Sequence, residues 1–235
     1  MLITKHFVFL HMPKTGGSFV RQVCRRELPS DWLLHNPESG FHVGHDAIPE
    51  EHRRLPVLCF VRNPWDWYVS WYHDRVQREV ERHEQARAAW WTYLFDSGRA
   101  DFREMVVNAC TGRPFDRLPE GGAAQQEVAL PRWVEVMRER GVDHYTARFL
   151  LLSGTEDRRE PPVEVGRFEN LRADLLSFLE RHDIPVPDGF RAALLRESPV
   201  RSSDRGPYGD YYDDELRDLV AAKAKPIIDR YGYRF

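Results

Sequence analysis

The segment from His6 to Ser18, reading His-Phe-Val-Phe-Leu-His-Met-Pro-Lys-Thr-Gly-Gly-Ser, constrains this chain most. A short apolar run passes into a loop with one lysine, two adjacent glycines and two hydroxyl residues. Phe19, Val20, Val23 and Cys24 then follow at helical spacing. Strand, glycine loop and helix in this order wrap a phosphate. Glycine lets backbone N–H groups approach the oxygens, and the helix start adds partial positive charge. The loop is expected to open the core sheet. It is not the Walker A pattern, G-x-x-x-x-G-K-[ST], in which the lysine follows the glycines. Here Lys14 precedes Gly16 and Gly17, and Pro13 stands before it. The lysine therefore approaches a bound group from the other side of the loop, which makes this a different phosphate cradle.

Further along, strands and helices alternate. Phe7 to His11 reads as the first strand and Ser18 to Glu27 as the first helix. Residues 29 to 54 are mixed, with four histidines. Leu55 to Val61 is an apolar run bounded by charge, the pattern of a buried parallel strand. It ends at Arg62-Asn63-Pro64, where Asn63 is placed to cap a helix with Pro64 in its first turn. That helix is expected from Trp65 to about Glu81, and residues 75 to 90, rich in Arg, Glu and His, read as a solvated helix face or as part of an acceptor groove. Residues 111 to 125 read as a loop, Trp133 to Arg140 as a helix ended by Gly141, Val163 to Phe168 as a strand, and Glu169 to His182 as a helix. Residues 183 to 210, rich in Pro and Gly, read as irregular. Asp213 to Tyr231 reads as a last helix with a bend at Pro226. The expected fold is α/β, with a central parallel sheet flanked by helices in a single domain over residues 1–235.

Composition narrows the partners. A net charge of −3 argues against a nucleic-acid binder that works by bulk electrostatics, although local basic clusters remain able to hold a small polyanion. No apolar run reaches the 18 residues of a membrane span, and the first apolar run is too short for a signal peptide. Cys24, Cys59 and Cys110 are scattered and odd in number, so buried thiols in a reducing, cytoplasmic setting are expected.

Two phosphate-like sites stand at two strand ends. One is Lys14, Thr15, Gly16, Gly17 and Ser18. The other is Arg62, with Ser70 about two turns into the next helix. Ligands of open α/β sheets bind outside the carboxyl ends of the strands, so both sites are expected on one edge, as suits a nucleotide with phosphate at two separated positions.

Pro13-Lys14-Thr15-Gly16-Gly17-Ser18-Phe19 resembles the 5′-phosphosulfate loop of sulfotransferases that use 3′-phosphoadenosine 5′-phosphosulfate (PAPS). Arg62-Asn63-Pro64, with its aromatic-rich helix and Ser70 eight residues after the arginine, resembles their 3′-phosphate element. Arg167-Phe168-Glu169-Asn170-Leu171 resembles the family's strand-to-helix segment, and Tyr208 to Phe235 resembles the tail of bacterial and Golgi-type carbohydrate sulfotransferases. The chain departs from the family at Trp67, where many members carry arginine.

The resemblance implies a P-loop-like sulfotransferase fold and a sulfonate transfer from PAPS to a hydroxyl of a carbohydrate or similar polar acceptor, leaving PAP. It assigns Lys14 to the sulfonate and the bridging oxygen. Backbone N–H groups of Thr15, Gly16, Gly17 and Ser18 go to the 5′-phosphate, with the adjoining Phe19 in the same motif. Arg62 and Ser70 go to the 3′-phosphate, and Arg201, Ser203 and Arg205 to a loop over the nucleotide. An arginine suits a phosphate because its planar fork donates two parallel bonds. The acceptor needs a base. His42-Val43-Gly44-His45 resembles the segment that supplies it in glycan 2-O-sulfotransferases, which puts His45 first and His42 second, with Glu50 or Glu51 as substitutes. No metal site is expected, because no Cys or carboxylate set completes the histidine spacing. Trp90, Trp91 and Trp133 read as core residues, with stacking on a sugar face as the alternative. Two other readings remain open: a nucleotide kinase-like phosphoryl transferase, and a non-catalytic nucleotide-binding protein.

Overall fold

Two runs, Val8-Phe9-Leu10 and Val57 to Val61, are apolar at every position, the mark of strands covered on both faces. In the computed structural model they are the middle of the sheet. The structure describes residues 1–36, 42–79, 94–95, 99–117, 131–154, 162–196 and 205–235. Its elements are β1 (Leu2–Thr4), β2 (Val8–Leu10), α1 (Gly17–Glu27), β3 (Leu33–His35), β4 (Val57–Val61), α2 (Pro64–Glu79), α3 (Phe102–Thr111), α4 (Arg132–Arg140), α5 (His144–Ser153), β5 (Val163–Arg167), α6 (Leu171–Arg181), α7 (Asp188–Arg196), α8 (Asp214–Lys223) and α9 (Lys225–Tyr231). Packing divides the chain into two units. Met1–Arg62 with Phe149–Ser202 carries the sheet; Asn63–Arg148 with Ser203–Phe235 is helical in its described residues.

The first unit is an α/β fold on one five-stranded sheet in the order β3-β1-β2-β4-β5. β2, β4 and β5 run parallel, with Val8 beside Val57 and Val57 beside Val163. β1 pairs antiparallel with β2 on one side and with β3 on the other, so the sheet is mixed where a parallel one is expected. The reason is local. A tight turn, in which Thr4 Oγ1 donates to the Phe7 carbonyl and accepts from the Phe7 N–H (2.9 Å each), folds β1 back on β2. Such a turn joins antiparallel strands, whereas a parallel pair needs a crossover. The core gathers Phe7, Phe9, Leu58 and Phe60 from the sheet, Phe19, Val20 and Val23 from α1, Leu175 and Phe178 from α6, and Phe190 and Leu194 from α7. Each such side chain moved out of water contributes about 1.5–3 kcal/mol, which fixes α1 and hence the loop before it.

Two elements stand where irregular chain is expected. β3 lies within the mixed stretch 29–54, and α7 within the Pro- and Gly-rich stretch 183–210. α7 forms because Phe190, Ala193 and Leu194 give it one buried face.

In the second unit, Asn63 Oδ1 accepts from the N–H groups of Trp65 (3.0 Å) and Asp66 (3.3 Å), the expected cap of α2. The chain end braces the same turn: Asn63 Nδ2 donates to the Arg234 carbonyl and Trp65 Nε1 to the Arg217 carbonyl, both at 3.0 Å. Trp67 is fully buried and stacks on Tyr145, with ring centroids 4.5 Å apart. Buried Asp143 accepts from Tyr68 Oη (2.9 Å) and from the Thr146 N–H (2.8 Å), which caps α5. The expected last helix is two, α8 and α9. The break falls at Ala224, and Pro226 sits in the first turn of α9, where its missing N–H costs nothing.

The three cysteines are buried free thiols, as expected. Burial pushes the Cys24 and Cys59 thiols up to about 12. Among the described residues no helix is long and apolar enough to cross a membrane.

Candidate functional site

The glycine loop leaves β2 at Leu10 and turns through His11 to Gly16 into α1. Three features shape it. Thr15 is fully buried and its hydroxyl donates to the Met12 carbonyl at 2.8 Å, which staples the turn. Lys14 adopts a left-handed backbone, φ 62°, and Gly16 does the same at φ 78°. Glycine takes that conformation freely; for lysine it costs roughly 1–2 kcal/mol, so surrounding structure has to hold it. Gly16 caps α1 without a side-chain hydrogen bond, and no acidic residue stands in the first turn of that helix. The first N–H groups of a helix have no carbonyl one turn earlier to meet, so this end offers donors and positive potential to an anion.

The two glycines are also needed for space. A Cβ on Gly16 would come within 2.3 Å of Leu171 Cδ1, and one on Gly17 within 2.0 Å of His11 Cδ2. Phe19 anchors the helix rather than facing the loop: its side chain lies in the core and its N–H bonds the Gly16 carbonyl at 3.0 Å. Ser18 is half-buried on the first turn.

Arg62 comes off the end of β4, and Phe168 off the end of β5. Arg62 Nη1 donates to the Lys14 carbonyl at 2.8 Å. Its Cζ stands 4.1 Å from the centroid of the Phe168 ring, a cation–π contact. The ends of three parallel strands are thereby joined: the loop after β2, the arginine after β4 and the turn after β5. Arg62 therefore stands against the backbone of the loop that leads into the start of α1.

Histidines border the loop. His11 is buried and packs between the Phe9 ring, 6.1 Å away, and the Cα of Gly17. Its imidazolium is disfavoured well below the usual histidine range, first by burial and then by His42 and Arg21. Exposed His42 sits edge-on to the His11 ring, with centroids 4.6 Å apart, and its Nδ1 is 2.9 Å from the His11 carbonyl. A carbonyl only accepts, so Nδ1 carries the proton, and in the neutral ring Nε2 keeps its lone pair. His45, the first-choice base, is buried on the turn His45–Ala47. Its ring lies so close to Gly154 that a Cβ there would meet Nδ1 at 2.7 Å. Glu50 and Glu51 are exposed on the turn Glu50–His52.

The remaining expected residues fall elsewhere. Ser70 is buried on α2 in the second unit. Arg205, in the same unit, forms an ion pair with Asp66. Arg201, Ser203, Trp90 and Trp91 lie outside the described residues. Trp133 packs edge-on against His144 (4.3 Å) and Phe115 (5.2 Å), a core position. Two participants were not singled out from the sequence. His11 follows directly on the first strand, and its position opposite Gly17 depends on how the loop turns. Phe168 belongs to a recognised segment, but its role as a shelf for Arg62 needs the register of β4 beside β5.

Neutral His11 makes stability depend on pH. Unfolded, the ring titrates near 6.5; folded, its affinity for a proton is depressed. The unfolded chain therefore binds more protons below that value. The stabilisation is full above pH 6.5 and is lost as pH falls from there toward the folded pKa. Urea midpoints are expected to drop between pH 7.5 and 5.5. A His11→Gln variant should show a slope shallower by up to about 1.4 kcal/mol per pH unit. Parallel slopes for the two proteins would show that folding does not lower the proton affinity of His11.

A scan against protein-family models, a search of curated proteins and a search of solved structures each give no match to this chain.

Proposed function

We propose that this chain is a cytoplasmic PAPS-dependent sulfotransferase of P-loop-like fold, acting on a hydroxyl of a carbohydrate or similar polar acceptor. One observation carries the reading. Two segments that resemble the family's nucleotide elements, and one that resembles its strand-to-helix segment, meet at the ends of neighbouring parallel strands, where Arg62 bonds the Lys14 carbonyl at 2.8 Å and lies over Phe168. Such an edge is where open α/β sheets hold their ligands.

In this reading the donor supplies a sulfonate on a good leaving group, the 5′-phosphate of PAP. The start of α1 and the backbone from Thr15 to Ser18 receive the 5′-phosphate, and Arg62 receives the 3′-phosphate. As the acceptor oxygen bonds sulfur, the bond from sulfur to the bridging oxygen breaks, and its electron pair stays on the phosphate. Lys14 stabilises that charge. The acceptor proton passes to a histidine. The geometry favours His42 over His45: it is exposed, adjoins the loop through His11, and is oriented by a backbone carbonyl that leaves Nε2 basic.

Thermal denaturation tests the reading. PAP and PAPS are expected to raise the melting temperature without any divalent cation, and ATP with Mg²⁺ to leave it unchanged. Stabilisation by ATP with Mg²⁺ alone would identify a phosphoryl transferase instead. PAP binding with no transfer to any of a broad panel of hydroxyl acceptors would leave a nucleotide-binding protein without catalysis.

A further inference from the structure

Arg62 does more in this fold than wait for a phosphate. One N–H of its guanidinium is spent on the backbone of Lys14, and its Cζ lies over the Phe168 ring. The accepting residue, Lys14, has a left-handed backbone without being glycine, as does Asp183 elsewhere in the described residues. A strained residue persists when its neighbours over-determine it, and the Arg62 bond acts on that peptide. Phe168 also packs against the next bend of the loop, since a Cβ on Gly16 would lie 3.3 Å from its ring. The arginine, the aromatic shelf and the loop thus form one interlocked group.

We propose that Arg62 is a positioning residue for the glycine loop as well as an anion ligand. By holding the Lys14 carbonyl, it sets the left-handed turn that aims the Lys14 side chain and the start of α1. Its role at the nucleotide rests on the sulfonate-transfer reading; its hold on the loop does not. The consequence is that removing Arg62 harms recognition of the 5′ end, where its own phosphate contact is not made. Lysine is a poor replacement, because it lacks the planar fork that can hold the Lys14 carbonyl while its charge lies over Phe168.

The test has two arms. In the ligand-free protein, amide exchange of Phe19 and Val20, whose N–H groups bond the Gly16 carbonyl, is followed by NMR. Arg62→Ala is expected to speed it at least tenfold, and Arg62→Lys or Phe168→Leu to speed it less. Millimolar guanidinium, but not equal sodium chloride, should slow it again in Arg62→Ala. Unchanged exchange in the Arg62 variants, or equal effects of the two salts, would overturn the positioning role whatever the protein's activity. In the second arm, calorimetry measures PAP against adenosine 5′-phosphosulfate, which has no 3′-phosphate. Arg62→Ala should weaken both, the second at least tenfold, with partial recovery in guanidinium. A loss confined to PAP would reduce Arg62 to a ligand of the 3′-phosphate. Faster exchange in a protein whose wild type binds neither nucleotide would keep the hold on the loop and sink the sulfotransferase reading.

Discussion

Replacing Lys14 with alanine is expected to lower turnover of PAPS to PAP by about 10²–10³ while PAP still binds. The side chain is assigned to charge that develops on the departing phosphate, so its loss falls on the chemical step. The backbone sharpens the test. At φ 62°, lysine and alanine carry the same left-handed cost, whereas glycine does not. Lys14→Gly should therefore lose as much turnover as Lys14→Ala yet melt at a higher temperature, the difference amounting to about 1 kcal/mol. A position where the wild-type residue is the less stable choice is one kept for its side chain. If either variant turned over PAPS at the wild-type rate, Lys14 would have no part in the chemistry.

The second large effect is expected at His42. His42→Ala should reduce kcat by about 10²–10⁴ with PAP affinity unchanged, since the residue acts on the acceptor side. His42→Asn refines the result: its amide can still donate to the His11 carbonyl but has no basic nitrogen, so it should be as inactive as alanine. His45→Ala should instead lower the melting temperature, because it opens a hole beside Gly154, and leave the turnover of the folded protein largely intact. The reverse pattern, with His45 carrying kcat and His42 dispensable, would return the base to His45.

What the sequence made legible follows the strength of local signals. β2, β4 and β5 end in loops or caps with marked chemistry, and α1, α2, α4 and α6 carry apolar faces of at least two turns; these elements lie within a few residues of where the sequence puts them. β1 and β3 have three residues each, and β3 is half-exposed or exposed throughout, so no periodicity develops. α7 was hidden by the prolines and glycines around it, although Pro187-Asp188 before Phe190 is a start signal. α3 had one too: Asp101 accepts from the Glu104 N–H at 2.8 Å, and Gly112 ends the helix. At the site, Lys14 and Arg62 were readable because glycine and proline punctuate their strand ends. His11 and Phe168 were not, since each acts through a partner far along the chain. Trp67 shows why a motif position needs its surroundings. It stands where relatives of the resembled family carry arginine, and it fills an aromatic core in which a guanidinium would lose its water.

The joining of Lys14, Arg62 and Phe168 has a consequence for biosynthesis. Lys14 and Arg62 are synthesised first, and the shelf under the guanidinium follows only about a hundred residues after Arg62. A nascent or truncated chain that lacks residue 168 has the loop without that support, so under the proposed function a nucleotide is not expected to assist its folding. Ligand rescue of a mutant would act only on a chain that already includes Phe168.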